Sequence, residues 1–236
     1  MWLHGFTQTA QSGYEFQRAV RATRELCAVD LPGHGKNASL LRNLTETSQD
    51  LTRDVVSGPI DLGGYSLGGR VALHVAASKP DVLRRLVVCS ATAGITNDDE
   101  RAERRQRDDA LAEHCLEVGA PTFLAEWTAQ PMFATLPDDP VEFATRSLDA
   151  RGLAGSLRLM GTGTQAPLDE HLSRCHVPTL ILAGENDQKF VREAERLRDC
   201  LRNSALVIVP AAGHAVHLER PEYVAGLVTE FLGNEK

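Results

Sequence analysis

Ile60-Asp61-Leu62-Gly63-Gly64-Tyr65-Ser66-Leu67-Gly68-Gly69-Arg70-Val71-Ala72-Leu73-His74-Val75-Ala76-Ala77 reads as a strand, a tight bend and a helix. The apolar run 60–63 leads in, and an amphipathic helical pattern over 67–77 leads out. Between them, Gly64-Tyr65-Ser66-Leu67-Gly68 matches the G-x-S-x-G bend. Such a turn lifts the serine hydroxyl clear of the strand and presses the positions two before and two after it against neighbouring backbone, so both must be small. Gly69 adds further room. A serine between two glycines also occurs in ordinary loops. The flanking strand and helix give the pattern its weight, and a helix N-terminus favours negative charge developing beside Ser66.

Outward from this bend the same alternation recurs. Short apolar runs at 26–29, 86–89, 179–183 and 206–209 each stop at a turn residue, and helical patterns fill 191–201 and 223–232, with Pro221 near the start of the last one. Continuous apolar runs suit parallel strands buried on both faces. The stretch from 95 to 165 breaks the alternation: it is dense in Arg, Asp and Glu at first and then helical, so it reads as an inserted helical cap. The expected division is a core of 1–94, a cap of 95–165 and a second core part of 166–236. No internal repeat or low-complexity linker interrupts it.

With 236 residues, 42% of them hydrophobic, the chain is long enough for one full core with an insertion. A net charge of -7 opposes nucleic acid or an anionic membrane as the main partner but leaves room for a locally basic pocket. Cys27, Cys89, Cys115, Cys175 and Cys200 are odd in number and form no CxxC or zinc pattern, which reads as reduced thiols in a cytoplasmic protein. No metal or organic cofactor is implied. No apolar run approaches the length of a membrane span, and no signal-peptide pattern stands at the start.

The order of the remaining polar motifs resembles the α/β-hydrolase fold, whose triad runs Ser, then Asp or Glu, then His. Asp187, in Gly184-Glu185-Asn186-Asp187, stands just past an apolar strand, with Glu185 as the competing carboxylate and a turn-forming aspartate as the plain alternative. His214 follows Gly213 beyond the last strand, with His217 as its rival. In such a triad His214 takes the Ser66 proton while Asp187 holds its tautomer and stabilises the imidazolium. The oxyanion hole would use the N–H of Leu67 and, from His4-Gly5-Phe6, that of Phe6. His4 reads as a structural hydrogen-bonder.

A narrower resemblance rests on His4-Gly5-Phe6-Thr7, Asp30-Leu31-Pro32-Gly33-His34-Gly35, Gly64 to Arg70, Gly184-Glu185-Asn186-Asp187-Gln188-Lys189-Phe190 and Gly213-His214-Ala215-Val216-His217-Leu218-Glu219. Together with Glu100-Arg101-Ala102-Glu103-Arg104 and Glu126-Trp127-Thr128-Ala129-Gln130-Pro131-Met132-Phe133-Ala134, the chain is similar to the 2-succinyl-6-hydroxy-2,4-cyclohexadiene-1-carboxylate synthases of menaquinone biosynthesis. The resemblance implies a lyase. It would eliminate pyruvate from 2-succinyl-5-enolpyruvyl-6-hydroxy-3-cyclohexene-1-carboxylate, with Ser66 acting as a base and the oxyanion hole holding enolate-like charge. The alternative on the same triad is an esterase, lactonase or carbon–carbon hydrolase acting on a small carboxylated substrate.

Arg70 lies one helical turn beyond Ser66, where a guanidinium can bind a substrate carboxylate bidentately. The same resemblance implies Arg104 and Arg146 as further carboxylate binders, with Tyr65 and Trp127 lining the pocket. The expected partner is therefore a small polycarboxylate, bound by a monomer or small homo-oligomer.

Three positions depart from the pattern. The strand that ends at His4-Gly5 begins at Met1-Trp2, so the leading N-terminal strands are missing from the expected fold. Asp169 stands where the family often has an aromatic residue, and Asn37 where many relatives carry serine.

Overall fold

The structure, a computed structural model, describes residues 1–53 and 58–233; the last three residues of the 166–236 stretch lie outside it. Six strands, β1 (Trp2–Leu3), β2 (Ala28–Val29), β3 (Ile60–Tyr65), β4 (Leu83–Cys89), β5 (Thr179–Gly184) and β6 (Ser204–Val209), pair in the order β2-β1-β3-β4-β5-β6. Every pairing is parallel. The chain steps from β1 out to β2 and then returns to the other side of β1 for β3, so the order reverses between β1 and β3. In an open parallel sheet the crevice at the carboxyl ends of strands beside such a reversal is where ligands bind. Leu3 of β1 is level with Gly64 of β3, so the loops after both strands open at that crevice.

Helices cover both faces. On the amino-terminal side of the chain are α1 (Tyr14–Arg21), α2 (Leu44–Arg53) and α3 (Leu67–Ser78). Between β4 and β5 come α4 (Asp98–Val118), α5 (Ala120–Thr128), α6 (Pro140–Ala144), α7 (Ala150–Met160) and α8 (Asp169–Leu172). After β5 follow α9 (Gln188–Cys200), α10 (Val216–Glu219) and α11 (Pro221–Leu232).

The strand period of two sorts the core. Leu86 and Val88 of β4 join Leu62, Val71 and Leu197 on the face covered by α3 and α9. Val87 and Cys89 join Phe16, Val20, Val224 and Val228 on the face covered by α1 and α11. A third cluster, with Cys115, Phe123, Leu124, Leu153 and Leu157, gives α4, α5 and α7 their own small core. Each fully buried Leu or Phe contributes about 1.5–3 kcal/mol relative to exposure.

Where the elements differ from expectation, the cause is local. The 26–29 run pairs only at Ala28–Val29, because its partner β1 offers two residues. β6 is a sheet edge and stays partly exposed along most of its length, so its apolar run is not buried on both faces as expected. α9 starts at Gln188 rather than 191, because Asp187 caps it by accepting a hydrogen bond from Phe190 N at 3.3 Å. Among the described residues no helix is long and apolar enough to cross a membrane.

Candidate active site

The bend at Ser66 is built by backbone contact. Ser66 holds φ 49°, the left-handed region, and α3 begins at the next residue. A non-glycine residue there costs on the order of 1–3 kcal/mol and must be held by its surroundings. Gly68 N donates to His4 O at 3.0 Å, and Ser66 N donates to Cys89 O at 2.9 Å. A Cβ on Gly68 would lie 2.2 Å from Leu3 O, and one on Gly64 would lie 2.4 Å from the Gly68 carbonyl carbon. Both glycines are therefore dictated by the approach of α3 to β1 and β3.

Three side chains from three strand ends meet. His214 Nε2 lies 3.2 Å from Ser66 Oγ, and His214 Nδ1 lies 2.7 Å from Asp187 Oδ2. His214 and Asp187 are buried, and the rings of Phe190 and Tyr65 pack on the imidazole at 4.4 and 5.3 Å. Asp187 accepts at Nδ1, so a neutral His214 carries its proton there and presents Nε2 to the serine as an acceptor. The competing residues stand elsewhere. Glu185 accepts a hydrogen bond from Ala211 N at 2.9 Å. His217 packs against Tyr65, Trp2 and Phe16 and lines a neighbouring cavity. Burial pushes the His217 pKa down to about 3.

The two expected oxyanion donors, Phe6 and Leu67, line the same cavity as Ser66. Neither N–H donates to a protein acceptor among the described residues. The Phe6 loop is fixed by neutral histidines. Leu31 N donates to His4 Nε2 at 3.0 Å and Thr7 N donates to His34 Nε2 at 3.2 Å, so each ring carries its proton on Nδ1, which donates to Gly5 O and Pro32 O respectively. Burial lowers the His4 pKa to about 4 and the His34 pKa to about 3, which keeps both neutral and makes His4 structural.

The cavity over Ser66 has a volume of about 290 Å³. Tyr65, Arg70, Arg104 and Trp127 line it as expected, joined by Arg107, Lys189 and Asp108. Four cations thus line it with a single carboxylate, and that carboxylate is occupied: Asp108 accepts from Arg104 Nε at 2.8 Å and from Gly163 N at 3.0 Å, while Arg107 pairs with Glu103 at 3.0 Å, which leaves Arg70 and Lys189 without a carboxylate among the described residues. Arg70 Nη1 donates to Met160 O at 2.7 Å. Its Nε and Nη2 find no protein acceptor among the described residues. Burial, with Arg104 nearby, lowers the Arg70 pKa to about 10, so it stays charged at neutral pH. Lys189 is lowered by burial and by Arg104, with Glu193 and Asp187 acting the other way.

Arg146 is not brought to this cavity. It lines the neighbouring one, and its Nη1 donates to Thr7 Oγ1 at 2.6 Å. The segment after α6 turns the guanidinium toward the Phe6 loop. Asp169, which stands where the family often has an aromatic residue, pairs with Arg196 through two bonds at 2.8 and 2.5 Å between α8 and α9. Asn37 donates to Asp30 O, a turn contact.

Two contributors went unassigned in the sequence. Lys189 stands two residues after Asp187, on the first turn of the helix that the triad acid caps, and that spacing was the available signal. Glu219 clasps the histidine loop from both sides: Gly213 N donates to Oε2 at 2.6 Å, Ala215 N to Oε1 at 3.0 Å, and Thr135 Oγ1 to Oε2 at 2.5 Å. Only the folded loop reveals that pairing. Among the described residues no group of three or more His, Cys, Asp or Glu is arranged to hold a metal ion.

Comparison with known proteins agrees with this geometry. The sequence profile of an alpha/beta hydrolase family matches residues 1–227. A 2-succinyl-6-hydroxy-2,4-cyclohexadiene-1-carboxylate synthase of Escherichia coli O1:K1 is 33% identical over 98% of this chain and 92% of its own length. The synthase of Serratia proteamaculans is 31% identical over 99% of this chain and 92% of its own. The structure of MenH from S. aureus superposes with a TM-score of 0.91 at 31% identity, covering 98% of this chain and 91% of that one.

Proposed function

Since the chain belongs to the alpha/beta hydrolase family and, within it, to the 2-succinyl-6-hydroxy-2,4-cyclohexadiene-1-carboxylate synthases, we propose that it is a lyase that eliminates pyruvate to form that cyclohexadiene. The substrate is 2-succinyl-5-enolpyruvyl-6-hydroxy-3-cyclohexene-1-carboxylate. One observation carries the reading: the Ser66–His214–Asp187 relay opens into a cavity lined by four cations and one occupied carboxylate, on a chain whose net charge is -7. A site for neutral esters has no use for that imbalance. A substrate with a ring carboxylate, a succinyl carboxylate and an enolpyruvyl carboxylate has three.

The chemistry follows from the positions of the double bonds. The hydrogen on C2 is adjacent to the succinyl carbonyl and is the acidic one. Ser66 Oγ, its own proton drawn to His214 Nε2, removes it. The electrons of the C2–H bond become the C2=C3 bond, the C3=C4 pair moves to C4=C5, and the C5–O bond breaks. The leaving group departs as the enolate of pyruvate, and the proton now held by the relay returns to it. Ser66 ends as it began, with no acyl group attached.

Negative charge gathers on the succinyl carbonyl oxygen as C2 loses its proton. The free N–H groups of Phe6 and Leu67 are placed to receive it, and removal of one such donor typically costs 10²–10³ in rate. Asp187 stabilises the transient imidazolium. Arg70, Arg104 and Lys189 hold carboxylates, while Trp127 and Tyr65 wall the ring. Five unpaired cysteines fit a reducing compartment, and we place the enzyme in the cytoplasm. The test is pyruvate release from the named substrate, followed by loss of diene precursor, in wild type and in Ser66→Ala. The reading expects release by wild type and a fall of at least a thousandfold in the variant; equal rates in the two proteins would overturn it.

A further inference from the structure

Arg70 and Arg104 come from different parts of the chain, Arg70 on α3 beside the Ser66 bend and Arg104 on α4 in the helical insertion. Both line the cavity over Ser66. Burial first, and then the Arg104 charge, lower the Arg70 pKa to about 10, so the two guanidinium groups lie within each other's field. Like charges drawn together out of water repel, so something must hold them there. The holder is the stretch 160–165, which begins at the last residue of α7 and touches both.

On the Arg70 side it offers two oxygens to one nitrogen. Nη1 donates to Met160 O at 2.7 Å and to Gln165 Oε1 at 3.4 Å. Gln165 is fully buried, and its amide nitrogen is fastened elsewhere: Nε2 donates to Thr92 O at 3.2 Å. The amide oxygen is therefore the end presented to Arg70. Thr92 lies in the loop after β4, whose last residue, Cys89, accepts from Ser66 N at 2.9 Å. Gln165 thus refers Arg70 to the same strand end that holds the serine bend. With Nη1 fastened, Nε and Nη2 are left for a ligand.

On the Arg104 side the same stretch acts through Asp108. That carboxylate is buried, with Oδ1 accepting from Arg104 Nε at 2.8 Å and Oδ2 from Gly163 N at 3.0 Å. Gly163 lies flat on α4, since a Cβ there would stand 2.2 Å from Arg105 N. The bond to Asp108 uses Nε and leaves both Nη groups of Arg104 for a ligand.

We propose that the stretch 160–165 sets the separation and direction of two carboxylate sites, Gln165 being the positioning residue for Arg70 and Asp108 the positioning residue for Arg104. Selection then falls on substrates whose carboxylates match that separation. The proposal rests on the reading above, in which these arginines bind carboxylates, and adds what holds them at one spacing. A misdirected carboxylate ligand weakens binding of anionic substrates alone, whereas a disturbed relay slows every substrate.

The experiment uses Gln165→Leu, which removes both ends of the amide, Gln165→Glu, which sets a carboxylate against Arg70, and Asp108→Asn. The expected result for Gln165→Leu and Asp108→Asn is a KM about five- to tenfold higher on the tricarboxylate, with kcat, and both constants on a neutral nitrophenyl ester, changed by less than about threefold. Gln165→Leu added to Arg70→Met should cost nothing further, because it acts through Arg70. Calorimetric titration with glutarate, a probe with two carboxylates and no bond to break, needs no turnover. Its Kd should rise about fivefold or more in all three single variants, most in Gln165→Glu, where Arg70 gains an internal partner. Equal losses on the tricarboxylate and the neutral ester would overturn the proposal, as would losses that multiply in the Arg70→Met background. Glutarate that fails to bind wild type, or binds the variants as tightly, would overturn it as well. Failure of the lyase reading has a different signature: no pyruvate from wild type, while the glutarate titrations still report on the two sites.

Discussion

Replacing Arg70 by Ala separates substrate recognition from catalysis. Nη1 makes the two protein bonds of the side chain, to Met160 O at 2.7 Å and to Gln165 Oε1 at 3.4 Å, and Nε and Nη2 are left available in a buried cavity. Losing the Met160 bond leaves a carbonyl unsatisfied, worth about 1 kcal/mol and felt equally by every substrate. Losing two charge-assisted bonds to a carboxylate costs about 1.5–3 kcal/mol for each, reduced by whatever water enters the space. A transition-state loss of about 3 kcal/mol is about a hundredfold in kcat/KM. The assay measures kcat/KM by pyruvate release on the tricarboxylate, and by nitrophenol release on a small neutral ester. The expected result is a loss of about a hundredfold on the first and less than tenfold on the second. Equal losses on the two would show that Arg70 holds α3 to Met160 and recognises nothing.

Three further outcomes follow from the same geometry. Glu219→Gln keeps one acceptor of the clasp on Gly213 and Ala215, so kcat should fall about tenfold with KM little changed, and stopped-flow kinetics on either substrate checks it. Burial raises the Glu142 pKa to about 7 against an ordinary 4.5, so the native state holds its proton more tightly than the unfolded chain and stability falls as pH rises from about 4.5 to 7. Glu142→Gln should therefore match wild type near pH 4 and exceed it at pH 8 by up to about 3 kcal/mol in urea unfolding. His217 has the opposite sign: with its folded pKa near 3, below the ordinary 6.5, stability is lost as pH falls below about 6.5. His217→Leu, which removes two unpartnered ring nitrogens, should lessen that acid loss by roughly 3 kcal/mol at pH 4, read from unfolding midpoints at pH 4 and 7.

The sequence carried the triad because each member sits at a strand end, and strand ends are legible from apolar runs that stop at turn residues. Ser66, Asp187 and His214 follow in order along the chain at the ends of those runs, and they meet at 3.2 and 2.7 Å. Arg70 was legible because helical spacing is a local property. Arg146 was not. Its direction depends on which loop the α6 segment packs against, and that is a tertiary fact that residue spacing does not encode. Lys189 and Glu219 lay inside motifs that were read for their neighbours. Lys189 was hidden because a lysine near a helix start is usually solvated, and Glu219 because its partners are backbone N–H groups, which have no sequence signature. The short β1 was expected from the position of His4-Gly5.

The central claim is that Ser66 removes a proton and never carries an acyl group. It is tested most directly with substrate deuterated at C2, combined with mass spectrometry of the enzyme stopped during turnover. The account predicts a primary isotope effect on kcat/KM, one pyruvate for each diene formed, and a Ser66 peptide of unmodified mass. A Ser66 peptide carrying a substrate-derived acyl group, with no isotope effect on pyruvate release, would contradict it.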